Sequence, residues 1–508
     1  MSEYLSRANR RTDRWHIRMV WMLIVAWVCI SFALAFVGVL WWTTRPNSEV
    51  IALETTPLRL VHRGEVVDDL EPVFSSEGGL FIPATFLLEH LEVPVHIEEE
   101  EEITYLVWNA PGYFLEVQVG EPRAWINEEP AELLAPTLLL EGEIYVAADF
   151  VTRMTETRFA HHADTGRVTV DAPGETHVEA DLRRPSPPRG TPAGALAELW
   201  GRIFGGDRSE DEHIDVRLRP TRQSPIVMQL PPGQVVRIAG AEDGWTRVQD
   251  RGVIGYVQST SIGRQNVAGL PQSAPEKDLP EMSRWSQRQP GTPLSGERVS
   301  LVWEQVDYLT PDPDSIGTLP GVNVVSPTWF QLADGQGRLR NLADYRYVQW
   351  AHEQDIRVWA LVSNSFDPDL TSEVLNSRSA RRALIRNVLT YADLYDLDGL
   401  NIDFENVYYE DRDILTQFVR ELTALAHREG LTVSIDVTMM SSSPTWSMCC
   451  DRRALAEVVD CVMLMAYDEH YAASPVAGSV SSLPWVESGL RRVVGEVPAE
   501  KLVLGIPF

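Results

Sequence analysis

The sequence predicts a multidomain chain: a C-terminal α/β barrel of parallel strands, preceded by a small all-β barrel, an α+β module and one N-terminal membrane-spanning helix. Three observations predict it. From residue 300 onward short apolar runs alternate with helical stripes, the pattern of β/α units around a parallel sheet. Between 216 and 263 short alternating strands are broken by Pro231-Pro232-Gly233, Asp243-Gly244, Gly252 and Gly255, which is how a small closed sheet reads. Residues 19–42 carry no charge.

Composition narrows the function classes. At 508 residues and 44% hydrophobic content the chain has room for about three folded units plus linkers. Acids outnumber bases 73 to 44, a formal charge of −29. That balance argues against a nucleic-acid partner, because a phosphate backbone needs Lys and Arg. Four cysteines make no disulfide framework. Cys449 and Cys450 are adjacent and Cys461 follows; a bond from the pair to Cys461 and buried free thiols both stay open. No CxxC or His/Cys cluster at zinc spacing occurs, so no metal is expected.

The tail 1–18 holds Arg7, Arg10, Arg11, Arg14 and Arg18. At 1.5 Å per residue, the uncharged run 19–42 crosses the roughly 30 Å of a bilayer core. The basic flank predicts a cytoplasmic N-terminus, with the bulk of the chain outside. A signal peptide cleaved at Ala33-Leu34-Ala35 is the alternative; apolar sequence continuing to Trp41-Trp42 favours an uncleaved anchor in the cell membrane.

Residues 54–173 are strand-rich. LFIPATFL at 80–87 returns as IYVAADFV at 144–151, each a strand running into a helix start, so paired half-domains are expected. The block resembles the copper amine oxidase N-terminal domain, a name that carries no copper chemistry with it. His161 and His162 fall on opposite faces of a strand, a solvated pair rather than metal ligands. The run Glu98 to Glu102 reads as a solvated turn, since it lacks the Gly and Asp/Asn spacing of a calcium loop. Residues 174–212 are linker in composition, with one short helical patch at 195–204. At 213–265, Gly244-Trp245-Thr246-Arg247-Val248 followed by Gly255-Tyr256-Val257 resembles a bacterial SH3 domain, a module that often binds peptidoglycan; a spacer is the plainer alternative. A second linker covers 266–296.

The barrel is expected over 297–508. Its strands are read at 300–303, 322–327, 357–363, 397–407, 432–438, 461–467 and 501–506. Helical stripes lie between, among them Leu384, Ile385, Val388, Leu389 and Ala392, then Ile414, Leu415, Phe418, Leu422 and Leu425. Seven strands are one β/α unit short of a (β/α)8 TIM barrel, so the sequence reads as a truncated product or fragment.

The fourth strand, LDGLNIDFENV at 397–407, organises the rest. Leu400, Ile402 and Phe404 alternate with Asn401, Asp403 and Glu405, so one face carries an amide and two carboxylates. Burying charge inside a barrel costs several kcal/mol unless it is paired or used, on the order of the usual effective penalty. The C-terminal end of a barrel strand is where such folds place their chemistry. Asp398-Gly399-Leu400-Asn401-Ile402-Asp403-Phe404-Glu405 resembles the strand-four signature of glycoside hydrolase family 18, the chitinase-like barrels. Asn401 stands where most chitinases have an Asp, as in the subgroup associated with spore cortex and cell-wall hydrolysis. Met465-Ala466-Tyr467-Asp468 resembles the family's strand-six motif.

The resemblance implies catalytic roles for Glu405, Asp403 and Tyr467. Asn401, Asp398, Asp436, Met465, Asp468 and Trp329 are expected around them as substrate-binding or supporting residues. It further implies a retaining hydrolysis without metal or organic cofactor, in which the substrate's own 2-acetamido group is the nucleophile. The expected partner is a polysaccharide, peptidoglycan or spore cortex first and chitin-type oligomers second. A catalytically inactive, lectin-like wall-binding protein is the alternative class, and the presence of Glu405 speaks against it.

Overall fold

The computed structural model describes residues 46–74, 79–91, 93, 95–110, 112–121, 123–132, 137–184, 213–270 and 298–507, with 19, 21–32, 35, 36 and 39 nearer the start. The basic tail 1–18, the patch 195–204 and the linker stretches 185–212 and 271–297 lie outside the described residues. The predicted membrane span falls among them only in part, helical at 21–32. Among the described residues no helix is long and apolar enough to cross a membrane. Two compact units result, Met1–Ile82 with Ala148–Glu276 and Pro83–Ala147 with Lys277–Phe508.

In the first unit, Arg59–His62 pairs in parallel with the strand Arg167–Asp171. The two ends of the predicted α+β module therefore meet in one four-stranded sheet. His161 packs edge-on against Phe74, and His162 Nε2 lies 3.1 Å from Thr169 Oγ1. A second sheet has seven strands, in the order Ile226–Leu230, Ile214–Arg217, Val253–Gln258, Trp245–Asp250, Val235–Glu242, Thr176–Leu182 and Ile262–Gly269. Two of these correct the predicted linkers. Residues 176–182 are a strand paired on both sides because Ala180 and Leu182 alternate into the core formed with Val216, Val236 and Val248, a period of two that outweighs the polar composition. The last strand likewise runs past 265.

In the second unit, seven parallel strands lie side by side in chain order: β1 Leu301–Glu304, β2 Val324–Pro327, β3 Arg357–Ser363, β4 Gly399–Asp403, β5 Thr432–Thr438, β6 Cys461–Met465 and β7 Leu502–Gly505. The helices include α1 Tyr345–His352, α2 Pro368–Asn376, α3 Arg378–Tyr395 and α4 Arg412–Arg428. Alternation along β4 divides two environments. Leu400, Ile402 and, just beyond, Phe404 are buried in the core shared with the helices. Gly399, Asn401 and Asp403 take the inner face, whose lower part is packed by Trp359, Val324, Cys461 and Met463 with Leu301, Trp303 and Val503. Gly399 is required there, since a Cβ would lie 2.7 Å from the Trp359 ring. Cys449, Cys450 and Cys461 are all free thiols, the first two with sulfurs 3.8 Å apart.

At the opposite end of the strands the same clamp occurs twice. Asp398 Oδ2 accepts from Val358 N at 2.8 Å and lies 2.9 Å from His352 Nε2. Asp460 Oδ2 does the same with Val433 N at 2.8 Å and His427 Nε2 at 2.9 Å. Asp398 is therefore corrected from the predicted site to the N-terminal end of β4, where it ties the strand to β3 and α1.

Five antiparallel strands, Val95–Glu100, Ile103–Ala110, Tyr113–Gln118, Arg123–Ile126 and Glu129–Glu132, form a meander. It packs on α3 and α4, with Val107 and Phe114 in the same core as the barrel. Buried Glu116 accepts from Arg378 and Arg382 through separate oxygens. Glu98 accepts from Arg381 at 2.5 Å, and Arg381 also donates to Glu421 at 3.1 Å. Asn109 Nδ2 donates to Gln417 Oε1 at 2.8 Å. The run Glu98 to Glu102 is thus only partly a turn. Glu101 and Glu102 turn the chain at positive φ, whereas strand alternation puts Glu98 and Glu100 on one face toward the arginines of α3.

Candidate active site

The upper ends of β3 to β6 position the chemistry. Pairing sets Ser363 beside Asp403 and Asp436 beside Met463. Along β4, Asn401 is fully buried and fixed from three sides: its Oδ1 accepts from Trp303 Nε1 at 2.8 Å and from Ser326 Oγ at 3.1 Å, and its Nδ2 donates to Asp436 Oδ1 at 2.8 Å. Asp403 follows on the same face with Oδ1 shut off from solvent. Glu405 sits just past the strand.

Glu405 is held by its backbone. Buried Asn364, directly after β3, accepts from Glu405 N at 3.1 Å and donates from Nδ2 to Glu405 O at 2.7 Å and to Thr371 Oγ1 at 2.8 Å. Val407 N then donates to Thr445 O at 3.0 Å, which ties the segment to the loop after β5. Tyr467 lies beyond β6, its ring edge-on to Trp303 at 6.3 Å. Met465 is buried on β6, while Asp468 is exposed at positive φ. Phe366 and Trp446 are exposed on the loops after β3 and β5, with rings 6.3 Å apart.

Electrostatics separates the carboxyls. Burial pushes Glu405 up to about 8, with the charges of Asp403, Asp468 and Cys449 adding to it. Burial raises Asp403 only to about 6. Asp436 is held well above the ordinary carboxylate range by burial and then by Asp403, against the opposing pull of the Asn401 hydrogen bond. Burial first, and the surrounding carboxylates next, push the Tyr467 phenol up. At neutral pH the arrangement therefore favours a neutral Glu405 beside an ionised Asp403, one acid and one anion at the same end of the sheet.

The structure thus brings Asn401, Asp403, Glu405, Asp436, Met465, Tyr467 and Asp468 to one end of the sheet. Trp329 is not among them. It is fully buried in the outer core, edge-on to Tyr347 at 5.5 Å, with Nε1 donating to Thr310 Oγ1 at 2.8 Å. The chain turns outward after β2 and carries the indole toward α1.

Trp303 and Asn364 are the residues that sequence reasoning missed. The signal for Asn364 was a lone amide closing an apolar strand. Asn364→Ala is expected to leave both the N–H and the C=O of Glu405 unsatisfied, at about 1 to 3 kcal/mol for each buried group. The expected outcome is a lower melting temperature and at least a roughly tenfold loss in kcat, equivalent to about 1.4 kcal/mol of barrier, with KM little changed. A wild-type kcat in this variant would mean that β4 alone positions Glu405.

With this geometry in view, residues 322–508 match the family model for Glycosyl hydrolases family 18. The chain carries a family 18 domain. Residues 212–262 match the bacterial SH3 domain and 61–170 the copper amine oxidase N-terminal domain. Among relatives of the family 18 domain, the uncharacterized glycosylase YvbX of Bacillus subtilis is 28% identical over 215 residues, 40% of this chain. The cortical fragment-lytic enzyme of Bacillus subtilis is 32% identical over 148 residues, 28% of this chain. The chain spans 62% of the first relative's length and 34% of the second's. A solved chitinase from Chromobacterium violaceum is 27% identical, with a TM-score of 0.34 over 37% of this chain and 61% of its own.

Proposed function

We propose that this protein is a membrane-anchored glycosidase that cuts N-acetylglucosamine-containing glycan, peptidoglycan or spore cortex, by substrate-assisted retaining hydrolysis. The observation that carries the reading is the placement of two carboxyls in line on the inner face, Asp403 closing β4 and Glu405 just past it, with burial raising Glu405 further than Asp403. Two residues apart at the end of β4 and just beyond it, their carboxyls approach a bound sugar from the same side, so Asp403 is badly placed to attack the opposite face as a second-carboxylate nucleophile would. An acetamido oxygen on the substrate fills that role. Glu405 then protonates the leaving oxygen and later activates water. Asp403 takes the acetamido N–H and balances the oxazolinium charge, and Tyr467 donates to the acetamido carbonyl. The exposed Phe366 and Trp446 rings offer apolar faces for sugar rings at the mouth.

The family 18 domain supports glycan hydrolysis. The name of the Bacillus subtilis cortical fragment-lytic relative and the SH3 module support a wall substrate. The arginine-rich tail before an uncharged run of 24 residues supports an anchor with the catalytic part outside the cell membrane. The test is product analysis: full-length protein incubated with purified sacculi should release fragments ending in reducing N-acetylglucosamine, identified by mass spectrometry. Cleavage of chitooligosaccharides alone would move the substrate to chitin, and no cleavage of either would overturn the reading.

A further inference from the structure

One step along the register that pairs Ile402 with Ile435, Asp403 lies opposite Asp436. Neighbouring strands run about 4.8 Å apart, and both side chains project from the inner face. Asp436 is 4% exposed. Its Oδ1 accepts from Asn401 Nδ2 at 2.8 Å; the Trp303 indole also acts on this carboxyl as a donor, and Oδ2 can still carry a proton for a further partner. On the other strand Asp403 Oδ1 is buried, and among the described residues no N–H or hydroxyl donor reaches it. One orphaned acceptor thus faces a carboxyl with an oxygen able to carry a proton. The groups around Asp436 are Asn401, Asp403 and Glu405 from β4 and its continuation, Trp303 from β1 and Tyr467 beyond β6. None is a cation, so three carboxyls in this space cannot all ionise.

We propose that Asp436 is kept as a neutral carboxylic acid whose O–H donates to Asp403 Oδ1, making Asp436 the positioning residue that fixes Asp403 as the anion of the site. The proton stays on Asp436 Oδ2 throughout, and Asp403 keeps its other oxygen for the acetamido N–H. Asn401 cannot hold this proton itself. It serves by turning Asp436, through the chain from Trp303 Nε1 to Asn401 Oδ1 and from Asn401 Nδ2 to Asp436 Oδ1. Because the role assigned to Asp403 rests on the hydrolytic reading above, the test includes a readout that needs no turnover.

Asp436→Asn is isosteric and supplies a neutral donor, so it should keep kcat within a few-fold of wild type and leave the acid limb of the pH profile in place. Asp436→Ala removes the donor to the charged form of Asp403. It should lower kcat by about 10- to 100-fold, the usual worth of a hydrogen bond to a charged group, and move the acid limb to higher pH. If Asp436 were instead ionised, its removal would relieve repulsion and move that limb to lower pH, and Asp436→Asn, which deletes the same charge, would move it the same way. Independently of activity, infrared difference spectra at neutral pH should show the C=O stretch of a protonated carboxyl that disappears in Asp436→Asn and survives in Glu405→Gln. If the wild type cleaves glycan but this band is absent or insensitive to Asp436→Asn, the proton assignment is overturned while the hydrolytic reading stands. The band present without any hydrolysis gives the reverse.

Discussion

Glu405→Gln is expected to abolish hydrolysis while leaving glycan binding nearly intact. The carboxamide keeps the shape and hydrogen bonding of the acid and remains gripped through its backbone by Asn364. It cannot protonate the leaving oxygen, a function that typically contributes about 10² to 10⁴-fold. The pH profile checks the assignment. Wild-type kcat/KM should rise through about pH 6 as Asp403 ionises and fall through about pH 8 as Glu405 loses its proton, with both limbs belonging to the coupled pair. Any residual rate in Glu405→Gln should lack the alkaline limb, because the group that loses its proton there is gone. An alkaline limb that survives the substitution would move the general acid to another residue.

The second large effect comes from the substrate. Replacing the N-acetyl group by a free amine on the sugar before the cut removes the nucleophile, and well-oriented intramolecular groups reach effective molarities on the order of 10⁵ to 10⁸ M. Cleavage of such a glycan should fall below detection while the acetylated glycan is cut normally. Asp403→Asn should mirror this on the protein side. A neutral amide stabilises the cyclised cation less well, and a preorganised electrostatic partner is worth roughly 3 to 4 kcal/mol, or about 10² to 10³ in kcat. A thiazoline analogue of the cyclised intermediate should inhibit the wild type. Undiminished cleavage of the de-N-acetylated glycan would require a carboxylate nucleophile from elsewhere in the sheet.

Strands β1 to β7 were legible in the sequence because buried parallel strands are near-continuous apolar runs separated by helical stripes, and β3 and β5 were read at their observed bounds. The inner face of β4 was legible for the same period-two reason. Long-range geometry was not. Nothing local distinguishes Trp329, which turns into the outer core, from Trp303, which reaches across the interior to Asn401. Asp398 shares a motif with Asp403, yet it lies at the opposite end of the strand, where its partners come from β3 and α1. Thr176–Leu182 was hidden by its polar composition and by its separation from the strands it joins.

The meander that rests on α3 and α4 sets apart two kinds of boundary, the one drawn by descent and the one drawn by folding. By descent, residues 61–170 and 322–508 belong to different families. By contact, 83–147 belongs with the barrel, and the buried Glu116 and half-buried Glu98 are met there by Arg378, Arg381 and Arg382. Removing one side of a buried ion pair is far more damaging than never having built it. A related barrel grafted onto this chain would arrive with its own side chains at 378, 381 and 382, leaving Glu116 stranded in the core and Glu98 without its partner at the core's edge. The two segments can be inherited separately, but in this protein they are exchangeable only as a matched pair, together with the helices on either side of the strand that carries Asp403.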